Sequence, residues 1–193
     1  MNETPSQTAG PFVHIGSNPN WVELTGVWDR DLGLVMVGPE TRGERILLTG
    51  AVFDGAGAPL TDALVEIWQA DANGHHGRDP SFTGWGRQPT DATTGLFRFG
   101  TIKPGPVAFG TGTGTMAPHI SVWIVARGIN LGLHTRLYFA DQADANARDP
   151  VFTRVAEPRR HTLLAHPEYH DGPPSYRFDV YLQGPDETVF LDI

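Results

Sequence analysis

Residues 45–71 read RILLTGAVFDGAGAPLTDALVEIWQAD. Two runs rich in branched and aliphatic side chains, 45–54 and 62–71, flank GAGAPLT, whose glycines and proline mark a turn. Each run has the length of a strand and is bounded by turn residues, so the stretch reads as two strands and a connection. Working outward, the same pattern recurs. GLFRFGTI (95–102) follows the turn TDATTG, and HTRLYF (134–139) is a further strand. In HISVWIVAR (119–127), Ile120, Val122 and Ile124 fall on one face and His119, Ser121 and Trp123 on the other. SYRFDVYLQ (175–183) alternates most cleanly, with Tyr176, Phe178, Val180 and Leu182 expected inward, and ETVFLDI closes the chain. Helix is expected only in DQADANA (141–147) and PRRHTLLAH (158–166). Strands at this spacing, joined by glycine-rich turns, predict an all-β chain folded as a β-sandwich.

The first 44 residues lack this regularity and carry Phe12, Trp21 and Trp28. So long an arm with buryable aromatics is expected to lie on something. The predicted organisation is an arm over 1–44, packed on a partner subunit, and one sandwich domain over 45–193.

Composition narrows the function. Of 193 residues, 39% are hydrophobic and 19% charged, which is globular rather than disordered. A net charge of −8 argues against nucleic acid or an anionic membrane as partner. An anionic substrate would need a local cation to offset that field. There is no cysteine, which excludes disulfides, zinc-thiolate sites and iron–sulfur clusters. The N-terminal MNETPSQTAGPFVH has no basic, apolar leader, and no run approaches the ~18 apolar residues of a membrane span. A soluble, cytoplasmic protein is expected.

MAPHISVW (116–123) poses the chemical question. His119 and residue 121 share a strand face, the placement a strand would use to offer two ligands to one metal, but the second is Ser121. The other histidines are His14, His75, His76, His134, His161, His166 and His170. His75 and His76 are adjacent and point apart in an extended segment, and no strong metal motif such as HExxH is present. Each histidine taken singly reads as surface or hydrogen-bonded rather than ligating.

LLTGAVFDGAGAPLTDALVEIWQADANG, TDATTGLFRFGTIKPG, MAPHISVWIVARG and HTRLYFAD, in this order and spacing, resemble the intradiol ring-cleavage dioxygenases. The resemblance runs from about Thr4 to the C-terminus. It implies a β-sandwich and an enzyme that opens catechols with O2 and non-haem iron(III). Catalytic chains of the family hold iron with two tyrosines and two histidines. The matching positions here are His76, Val107, His119 and Ser121, so three of the four ligands are absent by type. Neither valine nor neutral imidazole replaces the hard phenolate oxygen that suits iron(III).

The resemblance therefore implies an alpha-type subunit with no catalytic residue of its own. Fe(III) would be held by a beta-type partner within an obligate hetero-oligomer. TPSQTAGPFVHIG and the ending ETVFLDI are similar to alpha-type chains, whose N-terminal segment helps line the substrate pocket. That assigns Thr8, Gly10, Pro11 and Phe12 to the pocket wall and Arg127 to the carboxylate of a carboxylated catechol. Arg127 bridging to a carboxylate of the partner is the alternative, and Arg136 is expected to be structural. Two other readings stand beside this one. The first is a self-sufficient dioxygenase with ligands among His75, His76, His119 and His134; the second is a non-enzymatic β-sandwich binding module.

Overall fold

The computed structural model describes residues 8–10, 12–77, 79–110, 114–169 and 172–192. A short helix, α1 (Phe12–Ser17), precedes the strands. The first half of the sheet region supplies β1 (Arg45–Phe53), β2 (Leu64–Gln69), β3 (Trp85–Pro89), β4 (Leu96–Ile102), β5 (Val107–Ala108) and β6 (Thr115–Met116). There follow β7 (His119–Val125), β8 (Leu133–Phe139), helix α2 (Ala143–Asn146), β9 (Leu164–Glu168), β10 (Ser175–Arg177) and β11 (Val180–Tyr181).

Strand alternation decides which side chains meet. Ile46, Leu48 and Val52 of β1 are buried, as are Ile120, Val122 and Ile124 of β7. The strands form one path, β11–β1–β10–β9–β8–β7–β2–β3, with β4 along the other edge of β1, while β5 and β6 make a separate small hairpin. Its two ends fold over the main core, in which Phe97 and Phe99 of β4 pack with Val65 and Ile67 of β2, Leu137 and Phe139 of β8, and Phe178. This is the expected all-β, sandwich-like architecture. Strand β9 is the hinge of the path. Leu164 and Ala165 pair with Tyr138 and Phe139 of β8, whereas His166, Pro167 and Glu168 pair with β10.

Two local expectations are corrected and one strand is added. Residues 158–166 are not one helix: a 3-10 segment (Glu157–Leu163) ends at Leu163 and β9 begins at Leu164. WGRQP, without strand-like alternation, forms the edge strand β3 because its backbone pairs with β2 from Leu64↔Pro89 to Trp68↔Trp85. Proline is tolerated at an edge, where a missing donor costs no ladder bond. The run 175–183 breaks into β10 and β11. At the break, Asp179 takes the place of a backbone acceptor, receiving the Ala51 N–H at 2.9 Å, while the Phe178 N–H donates to Thr49 at 2.8 Å. The crossing needs Gly50, since a Cβ there would collide with the Phe178 carbonyl oxygen and the Phe97 ring. The inward side chains are as the alternation predicts, with Tyr176, Phe178 and Val180 buried.

The N-terminal region packs partly on this framework. Met36 is buried in the main core, and Val37 bridges to Phe82. By contrast, Leu24, Val27, Trp28, Leu32, Leu34 and Val35 remain exposed. A second, smaller core of Ala117, Tyr138, Phe152 and Leu163 lies at the start of β7. Its polar centre is the fully buried Asp149, which accepts the N–H groups of Ala117, Val151 and Phe152 at 2.8 Å and the Tyr138 hydroxyl at 3.1 Å. Burial first, and then the Asp149 charge, raises the Tyr138 phenol well above its ordinary value.

Candidate functional site

Antiparallel pairing of β2 with β7 sets the first cluster. Leu64 lies opposite Val125, so the chain just before β2 meets the chain just after β7. There the Arg127 Nε pairs with the Asp62 Oδ2, and the Asp62 backbone carbonyl accepts a hydrogen bond from His14 Nε2 at 2.9 Å. His14 also packs against Trp21, ring centroids 4.7 Å apart, which fixes α1 against the sandwich. Ahead of that helix, the Thr8 hydroxyl oxygen accepts the Gly128 N–H at 2.9 Å.

Thr8 and Arg127, paired only by the family resemblance, are thus neighbours on one surface. The Arg127 side chain is 69% exposed, so pairing through Nε leaves its terminal nitrogens accessible. Phe12 is 81% exposed, and Gly10 has open space around it. Pro11 and His170 lie outside the described residues. Sequence reasoning missed Asp62 and gave His14 no role. The usable signal was strand register: with Leu64 opposite Val125, Asp62 falls opposite Arg127.

The second cluster contains the four positions that the family resemblance matches to iron ligands. His119 begins β7, its Nδ1 donating to the Ala117 carbonyl oxygen at 2.7 Å. Burial lowers its pKa, and the nearby charges of Arg136 and His76 lower it further, although the hydrogen bond to Ala117 and the Asp149 charge oppose this. Ser121 lies between Trp68 and Arg136 across the sheet. His76 stacks on Trp68, centroids 5.6 Å apart, and Val107 pairs with Met116 in the β5–β6 hairpin. His75 turns away from His76 toward Asp71, at 3.9 Å.

These residues do not fit iron(III). They offer imidazoles, a hydroxyl and an alkyl group but no anionic oxygen, and the Arg136 guanidinium adds a positive charge beside His119. Among the described residues, no group of three or more His, Cys, Asp or Glu side chains is placed to hold a metal ion. His134 is remote in role, its ring facing Trp123 at 6.4 Å. Together, Trp68, Trp85, Trp123 and His134 line a groove of about 640 Å³ over this face.

The all-β, sandwich-like fold is that of a known family. The Dioxygenase_C family model, described as Dioxygenase, matches residues 17–184. The chain belongs to this dioxygenase family. It is 45% identical to the protocatechuate 3,4-dioxygenase alpha chain of Pseudomonas putida, over 100% of this chain and 97% of that relative. It is also 36% identical to the protocatechuate 3,4-dioxygenase beta chain of Burkholderia cepacia, over 77% of this chain and 68% of that one. Among solved structures, 3-chlorocatechol 1,2-dioxygenase from Rhodococcus opacus 1CP superposes with a TM-score of 0.63. The superposition covers 93% of this chain and 71% of that one at 22% identity, a likeness of fold. No helix among the described residues is long and apolar enough to cross a membrane.

Proposed function

We propose that this chain is the alpha subunit of a cytoplasmic protocatechuate 3,4-dioxygenase. It builds one wall of a substrate pocket completed by a beta-type subunit, which holds the iron(III). O2 would then cleave protocatechuate between its hydroxyl-bearing carbons to give 3-carboxy-cis,cis-muconate. The observation that carries the reading is the joint placement of Thr8 and Arg127 on one surface, with the exposed Phe12 opening the helix that follows Thr8. A cation with free terminal nitrogens suits the substrate carboxylate, and the phenyl ring suits its flat face. The donor set at His76, Val107, His119 and Ser121 supports assigning iron to the partner. The lone chain would then be inactive.

The test is to express the chain alone and together with a beta-type chain. The expected result is a coloured complex with about one iron per alpha–beta pair and ring-cleaving activity, and a colourless lone chain. Near-stoichiometric iron in the lone chain would overturn the reading. So would failure of the two chains to associate.

A further inference from the structure

A third site borders the second cluster through Arg136 and does not include Arg127. Arg136 of β8, Arg154 and Arg159 converge on a cavity of about 420 Å³. Its walls include Val155, Val189 and Leu191, and Asp192 is its one acidic side chain among the described residues. Three guanidinium groups against one carboxylate form a local excess of positive charge in a chain whose net charge is −8.

Two of the guanidinium groups are held within the chain. Arg159 Nη2 donates to the Glu187 carbonyl oxygen, and Arg136 Nη1 faces the Met116 sulfur at 3.4 Å. The Nε atoms of both are buried, with no hydrogen-bond partner among the described residues. A cavity edged by three cations and one carboxylate attracts an anion, whose charge offsets theirs. Two features define the anion. Planar guanidinium forks match a carboxylate with two parallel hydrogen bonds. The aliphatic walls favour an organic body over a hydrated inorganic ion, and the volume is within the range of small-molecule pockets.

We propose that the Arg136–Arg154–Arg159 cavity binds a small organic carboxylate, at a site separate from Arg127. The probe is benzoate, titrated calorimetrically into the full chain and into its complex with the beta-type partner. Benzamide serves as the uncharged control and inorganic phosphate as the bare anion. Arg154 is exposed, so Arg154→Met should fold normally, whereas Arg159 anchors Glu187 and is a poorer choice. Saturable benzoate binding is expected in both preparations, weakened roughly tenfold or more by Arg154→Met, as loss of a charge-assisted bond implies. It should be unchanged in Arg148→Met, an exposed arginine outside the cavity. Equal benzoate affinity in wild type and Arg154→Met would overturn the proposal, as would benzamide or phosphate binding as tightly as benzoate. Binding by the lone chain that disappears in the complex would also overturn it, since the pocket would then belong to the interface.

Discussion

Arg127 and Asp62 form an ion pair across the β2–β7 edge, made through the Nε of the guanidinium and the Oδ2 of the carboxylate. One face of the arginine is thereby committed within the chain, while its terminal nitrogens face outward. Asp62 in turn is tied through its backbone to His14, so the arginine and α1 share one anchor.

This geometry separates two substitutions. If Arg127 holds the substrate carboxylate as proposed, Arg127→Ala removes a charge-assisted contact of about 1.5–3 kcal/mol, a roughly ten- to hundredfold fall in kcat/KM for protocatechuate. The loss should lie mainly in KM, since the carboxylate is remote from the bond being broken. Catechol, which has no carboxylate, should be affected far less. Arg127→Lys has one nitrogen to divide between Asp62 and the substrate, and should recover only part of the loss. Steady-state kinetics of the assembled complex with both substrates decide this. An equal fall for both would place Arg127 in an interface role.

The legible and illegible parts of the chain differ physically. Strands β1, β2, β4, β7 and β8 are readable because their branched and aromatic side chains alternate between core and surface. β9 was not, because Leu163, Leu164 and Ala165 imitate a helical face, and its strand character comes from neighbours that are distant in sequence. The matching of His76, Val107, His119 and Ser121 to iron ligands rests on the family resemblance alone. Asp62 becomes readable only once the β2–β7 register is known, since that register sets it opposite Arg127. The arginine-lined cavity was equally hidden, since it joins β8 to residues from 151 to 192.

His119 should make stability depend on pH in a defined direction. Its folded-state pKa is lowered, chiefly by burial, so the unfolded chain takes up the proton first as pH falls. Its contribution is therefore fully present above the ordinary histidine value of about 6.5 and declines as pH drops below it. Urea midpoints measured from pH 7.5 down to 5.5 should fall for the wild-type chain. The decline should be shallower in His119→Gln, and an identical slope in the two proteins would contradict the assignment.

Gly50→Ala tests the strand crossing. The added methyl group meets a backbone carbonyl oxygen and a buried phenyl ring, neither of which can rotate away cheaply. A loss of about 1–3 kcal/mol or more is expected from overpacking, read as a lower denaturation midpoint. Gly57→Ala is the comparison: the space around it is open, and its cost should come only from its positive φ of 78°.

Asp149 and Tyr138 should be unequal although they share a hydrogen bond. Asp149→Ala leaves three buried N–H groups and a phenol without their acceptor, a cost on the order of 4 kcal/mol. Tyr138→Phe removes one hydroxyl and leaves the carboxylate its three backbone donors, so about 1 kcal/mol is expected. Chemical denaturation of both variants gives the ratio, and comparable losses would show that the phenol, not the backbone, holds this corner.

The exposed apolar side chains of the N-terminal region carry the last prediction. Val27, Trp28, Leu32 and Leu34 are each about half exposed within a few residues of one another in sequence. A patch of this kind marks a protein contact, and tryptophan is among the side chains that dominate such contacts. If the beta-type subunit covers it, Trp28→Gln should weaken the complex by about 2 kcal/mol or more, a roughly thirtyfold rise in the dissociation constant. The same change should make the lone chain less prone to self-association. The two effects must occur together, because both follow from the same uncovered surface. Sedimentation analysis of the lone chain and of the mixture measures them side by side. A variant that gains solubility yet assembles with undiminished affinity would mean that the partner does not sit on Trp28.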